Sequence, residues 1–186
     1  MKEKVLSAAI AAAAMTLPGA NAEEMHVAGH YNIQCHDIDG NLLWEETIEN
    51  LVTTVGKNNM LDNHLSGSSY TATWYIGLIS SASYTTGPAA ADTMASHAGW
   101  TESQNYSQST RVAASFSSAS AGSKALSSGA VFTMNASDTI KGCFLVSNST
   151  KGGTTGTLFS AGLFTGGDQP VVNTNTLTVS YTASLT

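Results

Sequence analysis

The sequence is poor in charged residues. Asp, Glu, Lys and Arg make up 11% of its 186 residues, whereas about 25% is usual in globular domains. Only seven residues are Lys or Arg, scattered along a chain whose net charge is −6. A protein that neutralises nucleic-acid phosphates needs a clustered basic surface. We therefore expect no direct binding to nucleic acid.

Cysteine is equally sparse. Cys35 and Cys143 are the only two, and their separation matches no metal-binding or redox spacing. Two alternatives stay open, one disulfide in an exported protein or two buried thiols, and we expect the thiols. A chain of 186 residues buries enough surface to be stable without a disulfide or a metal. We expect no cofactor and no metal ion.

The apolar run near the N-terminus is too short to span a bilayer as a helix. It extends from Val5 to Leu17, and a transmembrane helix needs about 20 apolar residues. It follows Lys2 and Lys4 and precedes Ala20-Asn21-Ala22, an arrangement typical of a secretory signal peptide. We expect no membrane partner.

Two interpretations of this segment follow. Because the chain retains it, we treat residues 1–24 as an N-terminal arm that lies in a groove on a neighbouring subunit, and residues 25–186 as one domain. Removal of residues 1–22 during export is the alternative.

Hydroxyl side chains take the place of the missing charges, with 24 Ser and 23 Thr. A hydroxyl costs much less to desolvate than an unpaired charge. Neighbouring subunits can therefore cover such a surface without stranding ions. The composition is also typical of β-rich extracellular and viral proteins, and the two interpretations are compatible.

From Met25 onward the apolar pattern indicates strands, and Asp39-Gly40 predicts a two-residue hairpin turn. Pairing Ile38 with Asn41 gives one mainly apolar and one mainly polar face, as a half-buried antiparallel pair requires. The apolar face has Tyr31 opposite Ile48, Cys35 opposite Trp44 and Asp37 opposite Leu42; the polar face has His30 opposite Glu49, Asn32 opposite Thr47 and Gln34 opposite Glu45.

Short strands at regular spacing predict the fold class. Further strands are expected at residues 71–80, 111–116, 129–134, 139–147, 157–164 and 176–185. One short helix of one or two turns is expected near residues 51–65, beginning with Leu51. This order predicts an all-β antiparallel β-sandwich of jelly-roll-like form. Residues 81–108 form a long loop, which is usually functional or stabilised by a neighbour.

The stretch from Cys35 to Glu46 resembles a calcium-binding loop. It places Asp37, Asp39, Gly40 and Glu46 at matching offsets. Its first ligand would however be a thiol, which suits a hard cation poorly, and its flanks are strands. We interpret these residues as a hairpin.

No other group of residues has the spacing of a site. His26, His30 and His36 share one strand face, but neighbours are about 13 and 20 Å apart, too far for one metal ion. Glu45 and Glu46 point to opposite faces and cannot act as a glycosidase pair. The Gly-rich run 152–156 lacks the Lys-Ser/Thr ending of a phosphate loop and is interpreted as a flexible hairpin.

Motifs of serine hydrolases and metalloproteases are also missing from the sequence. We expect no catalytic, cofactor-binding or metal-binding residues, and no enzymatic activity. Trp44 and Trp74 lie in core-like patterns. Trp100 lies on the long loop, and we expect an exposed anchor between subunits there; a carbohydrate platform is the alternative.

Two blocks of sequence resemble a known family. The first runs through Asp39–Leu42, Glu49–Thr53, Gly56–Asp62 and Thr73–Ile79, and the second through Phe132–Met134, Thr139–Ser147 and Gly156–Ser160. They are similar to small virion proteins of tailed bacteriophages, the capsid cement or head-decoration proteins.

The resemblance implies a jelly-roll-like sandwich on the outer capsid surface of a virion. Its partner would be the major capsid protein, and it would form a homo-oligomer, a dimer or a trimer. The alternative is a secreted bacterial β-sandwich binding module or adhesin, and a small hydrolase is a distant third because no residue is a candidate nucleophile.

Overall fold

A computed structural model describes residues 25–65 and 73–186. Two antiparallel sheets pack face to face with one helix beside them. The predicted all-β antiparallel sandwich with one short helix is thereby confirmed. The N-terminal arm, residues 1–24, lies outside the described residues, as do residues 71 and 72 of one expected strand.

Twelve strands and one helix are found among the described residues. In chain order they are β1 (Val27–His36), β2 (Leu42–Glu49), β3 (Leu51–Val52), α1 (Thr54–Leu65), β4 (Trp74–Ser80), β5 (Thr101–Ser103), β6 (Val112–Ala114), β7 (Ser123–Ala125), β8 (Ala130–Thr133), β9 (Asp138–Val146), β10 (Leu158–Leu163), β11 (Gln169–Val171) and β12 (Thr176–Leu185).

The first sheet has the order β2-β1-β12, and both β7 and β8 pair with the other edge of β12. The second sheet has the order β3-β10-β9-β4. In it β11 pairs with β9, and β5 and β6 both pair with β4. The first and last strands, β1 and β12, pair along their whole length.

The main core lies between the two sheets. Alternate residues of β1, including Tyr31 and Ile33, are fully buried there with Ile76 and Leu78 of β4. A second cluster lies on the opposite face of β4 and β9 and includes Phe144. The loop after β4 contributes residues to this second cluster. This is why β4 and β9 are apolar on both faces.

The predicted hairpin register is confirmed from the His30–Glu49 pair to the Cys35–Trp44 pair. The predicted turn is wrong in detail. Asp37 N donates to Asn41 O (3.0 Å) and Gly40 N donates to Asp37 O (3.2 Å), which makes a three-residue loop.

The three-residue loop has a physical reason. Gly40 has a left-handed φ of 85° and Asp39 does not, which matches a loop built on a type I turn rather than a two-residue turn. His36 therefore pairs with Leu42, so the expected Asp37–Leu42 pair does not form. A bulge between Cys35 and His36 separates the His36–Leu42 pair from the Cys35–Trp44 pair. From Cys35–Trp44 to His30–Glu49 the register is the predicted one.

The helix is longer than expected, with about three turns rather than one or two. Leu51, expected at its start, lies instead in β3. Thr53 Oγ1 accepts a hydrogen bond from Gly56 N (3.1 Å) and so caps the first turn. A Cβ at Gly56 would lie 2.4 Å from Phe159 O, so glycine permits the close approach of α1 to β10.

The other predicted strands are found within two residues of their expected ends, over the described part of the chain. Four short strands were missed: β3, of two residues, and β5, β7 and β11, of three residues each. They are too short to show an alternating pattern, and their pairing depends on distant strands.

Candidate interaction surface

Three large apolar side chains at the end of the β1–β2 hairpin face solvent. Ile38 is 74% exposed, Leu42 53% and Leu43 52%. We call these three residues the apolar tip. Leu42 and Leu43 are successive residues of β2, so their side chains point to opposite faces of the hairpin, and Ile38 lies in the loop between the strands. Three large exposed apolar side chains thus surround one end of the hairpin, which is the first candidate for an interaction site.

Hydrogen bonds within the loop hold the tip in shape. The Asp37 carboxylate accepts from Asp39 N (2.9 Å), Asn41 N (2.8 Å) and Asn41 Nδ2 (2.8 Å). These bonds, those from Asn41 foremost, lower the pKa of Asp37 from its ordinary value. The backbone of the loop that carries Ile38 is therefore fixed.

The hairpin is also acidic. Between residues 25 and 56 the sequence contains no Lys or Arg, but five acidic residues: Asp37, Asp39, Glu45, Glu46 and Glu49. Glu46 is buried, whereas Asp39, Glu45 and Glu49 are exposed. The surroundings of the apolar tip thus carry negative charge with no cation on the same hairpin.

Hydroxyl and amide side chains dominate the outer face of the first sheet. Because Tyr31, Ile33 and Cys35 point into the core, the residues between them lie on the outer face. The outward residues of β1, β2 and β12 include Asn32, Gln34, Thr47, Thr176, Thr178, Ser180 and Thr182, with His30, His36, Glu45 and Glu49. No Lys or Arg occurs in β1, β2, β8 or β12.

The residues of the calcium-loop pattern do not converge on one point. Asp37 binds the hairpin loop, whereas Glu46 turns into the protein and accepts hydrogen bonds from Gln169 Nε2 (2.6 Å) and Gly166 N (3.1 Å). Within residues 25–65 and 73–186, no group of three His, Cys, Asp or Glu side chains could hold a metal ion. His30 lies opposite Glu49 as expected.

Trp100 is not the exposed anchor that the sequence suggested. Its side chain is 2% exposed, its Nε1 donates to Asp92 Oδ2 (2.9 Å), and its ring stacks on His97 with centroids 4.0 Å apart. It packs against Phe144 in the second cluster. The expectation is wrong because the long loop covers the outer face of the second sheet.

A buried ion pair lies beside a cleft and was not anticipated from the sequence. Arg111 and Glu102 have side chains that are 0% and 6% exposed. The cleft, with a volume of about 210 Å³, is lined by Met94, His97, Thr101, Glu102, Gln104, Gly152, Gly153 and Thr154. Glu102 accepts from Arg111 through both oxygens and from Gly152 N (2.8 Å). The Glu102 carboxylate thus links Arg111 and Gly152 to β5 and stabilises the fold.

A second carboxylate has a similar structural use. Asp138 accepts hydrogen bonds from Ser80 Oγ (2.9 Å), Thr139 N (2.7 Å), Ser103 Oγ (2.5 Å) and Asn105 Nδ2 (3.2 Å). It joins β9 to the end of β4 and to β5. These partners fix the strands at one end of the second sheet.

The Gly-rich run 152–156 connects β9 to β10, as predicted. It is tied to neighbouring segments rather than free. Arg111 Nη2 donates to Gly153 O (2.8 Å), and Lys151 Nζ donates to Tyr106 O (2.8 Å) and Gln108 O (2.8 Å). These bonds fix the connection against the segment between β5 and β6.

Both cysteines are free and buried, which confirms the expected thiols. Burial raises the pKa of Cys35 to about 11 and raises that of Cys143 further. Thiolates are the reactive form, so neither side chain is suited to nucleophilic chemistry.

In the part of the chain that the structure describes, no helix has the length and apolar character needed to cross a membrane. No protein-family model matches the chain, and a search of curated proteins finds no match. What the surface binds must therefore be inferred from its own residues.

Proposed function

We propose that this chain is a non-enzymatic virion structural protein that decorates a bacteriophage capsid and stabilises it by bridging major capsid subunits. The resemblance of residues 39–80 and 132–160 to capsid cement and head-decoration proteins supports the proposal. Those residues supply the β1–β2 hairpin loop, most of α1 and the central strands β4, β9 and β10. They thus include the core strands β4 and β9 and, of the apolar tip, Leu42 and Leu43.

The observation that carries the proposal is the character of the exposed surface. The outer face of the first sheet presents mainly hydroxyl and amide groups, together with Glu45 and Glu49, and β1, β2, β8 and β12 contain no Lys or Arg. The apolar tip lies at one end of this face. Polar groups of this kind are cheaper to cover than unpaired ions. Such a surface suits a protein that lies against other subunits.

The polar clusters support a non-enzymatic role. Glu102 with Arg111, Asp138 with its four donors, and Glu46 with Gln169 all bind other parts of the same chain. Catalytic acids and bases need a position from which they reach a substrate. These carboxylates are committed to holding strands together.

Stabilisation would follow from mass action. A protein that binds the assembled capsid better than free subunits shifts the equilibrium toward the assembled state. A homo-oligomer on a symmetry axis, a dimer or a trimer, would contact several capsid subunits at once.

The test compares phage particles made with and without this chain. We expect particles that lack it to release their DNA at a lower temperature or on dilution into low salt, and added purified protein to restore resistance. Absence of the protein from purified particles, together with unchanged resistance, would contradict the proposal.

A secreted binding module is the second candidate, favoured by the signal-like sequence around Val5–Leu17 and Ala20–Ala22. Because Trp100 is buried, the residue that the sequence offered for sugar binding is not accessible. Intact mass of the native protein separates the candidates. A chain that begins at Glu23 favours secretion, and a chain that keeps residues 1–22 favours the virion protein.

A further inference from the structure

We propose that the apolar tip, Ile38, Leu42 and Leu43, is the docking element of this chain, and that it inserts into an apolar pocket rimmed by Lys or Arg on the capsid subunit beneath. The inference rests on the proposed function and gives it a contact surface. It assigns the apolar side chains to the centre of the interface and the acidic residues to its rim.

The apolar tip is exposed on a loop whose backbone is fixed. Ile38 is 74% exposed although its loop is fixed by the three bonds to Asp37. Because the backbone that carries Ile38 is already fixed, little backbone freedom is lost on binding, and such pre-organisation favours affinity. Apolar side chains at the centre of an interface and polar groups around them are the usual arrangement.

The fold does not depend on the side chains of the apolar tip. The inward-facing Trp44 anchors the same end of β2, with Nε1 donating to Pro170 O (3.2 Å) and its ring against Phe164, centroids 5.7 Å apart. The hairpin is further held by pairing of β1 with both β2 and β12. The exposed fractions of Leu42 and Leu43 are therefore available to a partner.

The hairpin that carries the apolar tip is negatively charged. Asp39 and Glu45 are exposed beside the tip, and no Lys or Arg lies between residues 25 and 56. Two copies of this chain meeting tip to tip would bring like charges together, which is unfavourable. A basic partner surface is complementary. Under the proposed function that partner is the capsid subunit, and a second copy is an outcome that the test below distinguishes.

The test measures co-sedimentation of purified protein with particles of the parent phage that lack it. The tip variant carries Ile38→Ser and Leu42→Ser. The matched control carries Leu61→Ser and Leu65→Ser on α1, where the same side-chain type is 43% and 77% exposed. We expect the tip variant to bind roughly tenfold more weakly or worse, and the control to bind like the unchanged protein.

Charge-reversal variants test the role of the acidic residues around the apolar tip. Asp39→Lys should weaken binding, whereas Asp62→Lys, at an exposed position of α1, should not. Binding of the unchanged protein should also weaken as salt rises, because surface charges are screened.

A spin-labelling experiment tests contact at the apolar tip without relying on loss of binding. Since Cys35 and Cys143 are buried, an Ile38→Cys variant can be spin-labelled at one site. We expect the label to lose mobility when particles are added, and a label at Leu61→Cys to stay mobile. This experiment remains informative should the serine variant fold poorly, which thermal unfolding would reveal.

The outcomes separate the two proposals. If the unchanged protein does not bind the particles, the capsid function is wrong. If it binds and the folded tip variant binds equally well, with the Ile38→Cys label still mobile, the capsid function stands and the docking inference is overturned. If the tip variant instead turns an oligomer into a monomer in solution, a second copy is the occupant and the inference is likewise overturned.

Discussion

The guanidinium of Arg111 donates to both carboxylate oxygens of Glu102, with Nε–Oε1 2.9 Å and Nη2–Oε2 2.8 Å. Both side chains are nearly inaccessible to solvent, at 0% and 6%. Arg111 also donates to Asn148 O and Gly153 O, and its guanidinium lies 5.2 Å from the centroid of the Phe144 ring. The pair fastens the β9–β10 connection to the strands beside β4.

Replacing either partner alone should strongly destabilise the fold. Arg111→Met leaves the Glu102 carboxylate buried without its cation. Glu102→Leu leaves the Arg111 guanidinium buried without its anion. Removing one partner of a buried ion pair costs about 3–5 kcal/mol of unfolding free energy. The double variant should be less destabilised than the sum of the two, as urea unfolding in a double-mutant cycle would measure.

The pair of Lys141 with Asp168 provides the control for this cycle. Its side chains are 15% and 44% exposed, so solvent weakens the interaction, and such pairs contribute about 0–1 kcal/mol. Lys141→Met and Asp168→Asn should change the unfolding free energy little. Equal losses at the two ion pairs would contradict the structural role assigned to Arg111 and Glu102.

Trp100 should be among the most important side chains for stability. Trp100→Ala empties the space between the long loop and Phe144 and should cost about 3–5 kcal/mol. Trp100→Phe keeps an aromatic ring and removes one of the two donors to Asp92 Oδ2, the other being Ala89 N, and should cost less. Thermal unfolding of both variants measures this order. A Trp100→Ala protein as stable as the original would mean that the loop does not cover the second sheet.

The hairpin and Trp100 mark what the sequence could and could not predict. Alternation of apolar residues defined the pairing of Tyr31 with Ile48, because a slip of one residue would turn every core side chain to solvent. The turn was predicted wrongly because the Asp37 carboxylate binds nearby backbone N–H groups, a local competition that the Asp-Gly pattern does not reveal.

The burial of Trp100 depends on contacts distant in sequence. The apolar character of β4 on both faces did signal that something must cover its outer face, but not which segment does so. The ion pair was hidden for a similar reason. Glu102 lies in β5 and Arg111 directly precedes β6, two short strands that both pair with β4. Further hydrogen-bond partners of the pair come from residues 148–153.

The hairpin loop should respond to acid below the ordinary range of an aspartate. The bonds from Asn41 lower the pKa of Asp37 below 3.8. Because the folded pKa is depressed, the contribution of Asp37 to the loop is present above pH 3.8 and is lost as pH falls through the lower folded value. An NMR titration of the amide protons of Asp39 and Asn41 should show a midpoint below pH 3.8.

Asp37→Asn is the control for this titration. Asparagine keeps an oxygen acceptor in the same position but has no carboxyl group to titrate. The acid-dependent shifts of the two amide protons should disappear in the variant. Shifts that persist would belong to another group and would contradict the assignment to Asp37.

The two thiols should be inert in the folded protein. With a pKa of about 11, roughly one Cys35 side chain in a thousand is ionised at pH 8, and Cys143, fully buried, is shifted further in the same direction. Thiol reagents react with the thiolate and need access to it. We therefore expect very slow reaction with a disulfide reagent at pH 8 under native conditions, and rapid reaction of two thiols per chain in denaturant.

The Ile38→Cys variant supplies the matched control, since its added thiol lies on the exposed loop and should react at once. Rapid labelling of the unchanged protein would show that the sandwich opens readily. Failure to find two thiols in denaturant would show that a disulfide joins Cys35 and Cys143.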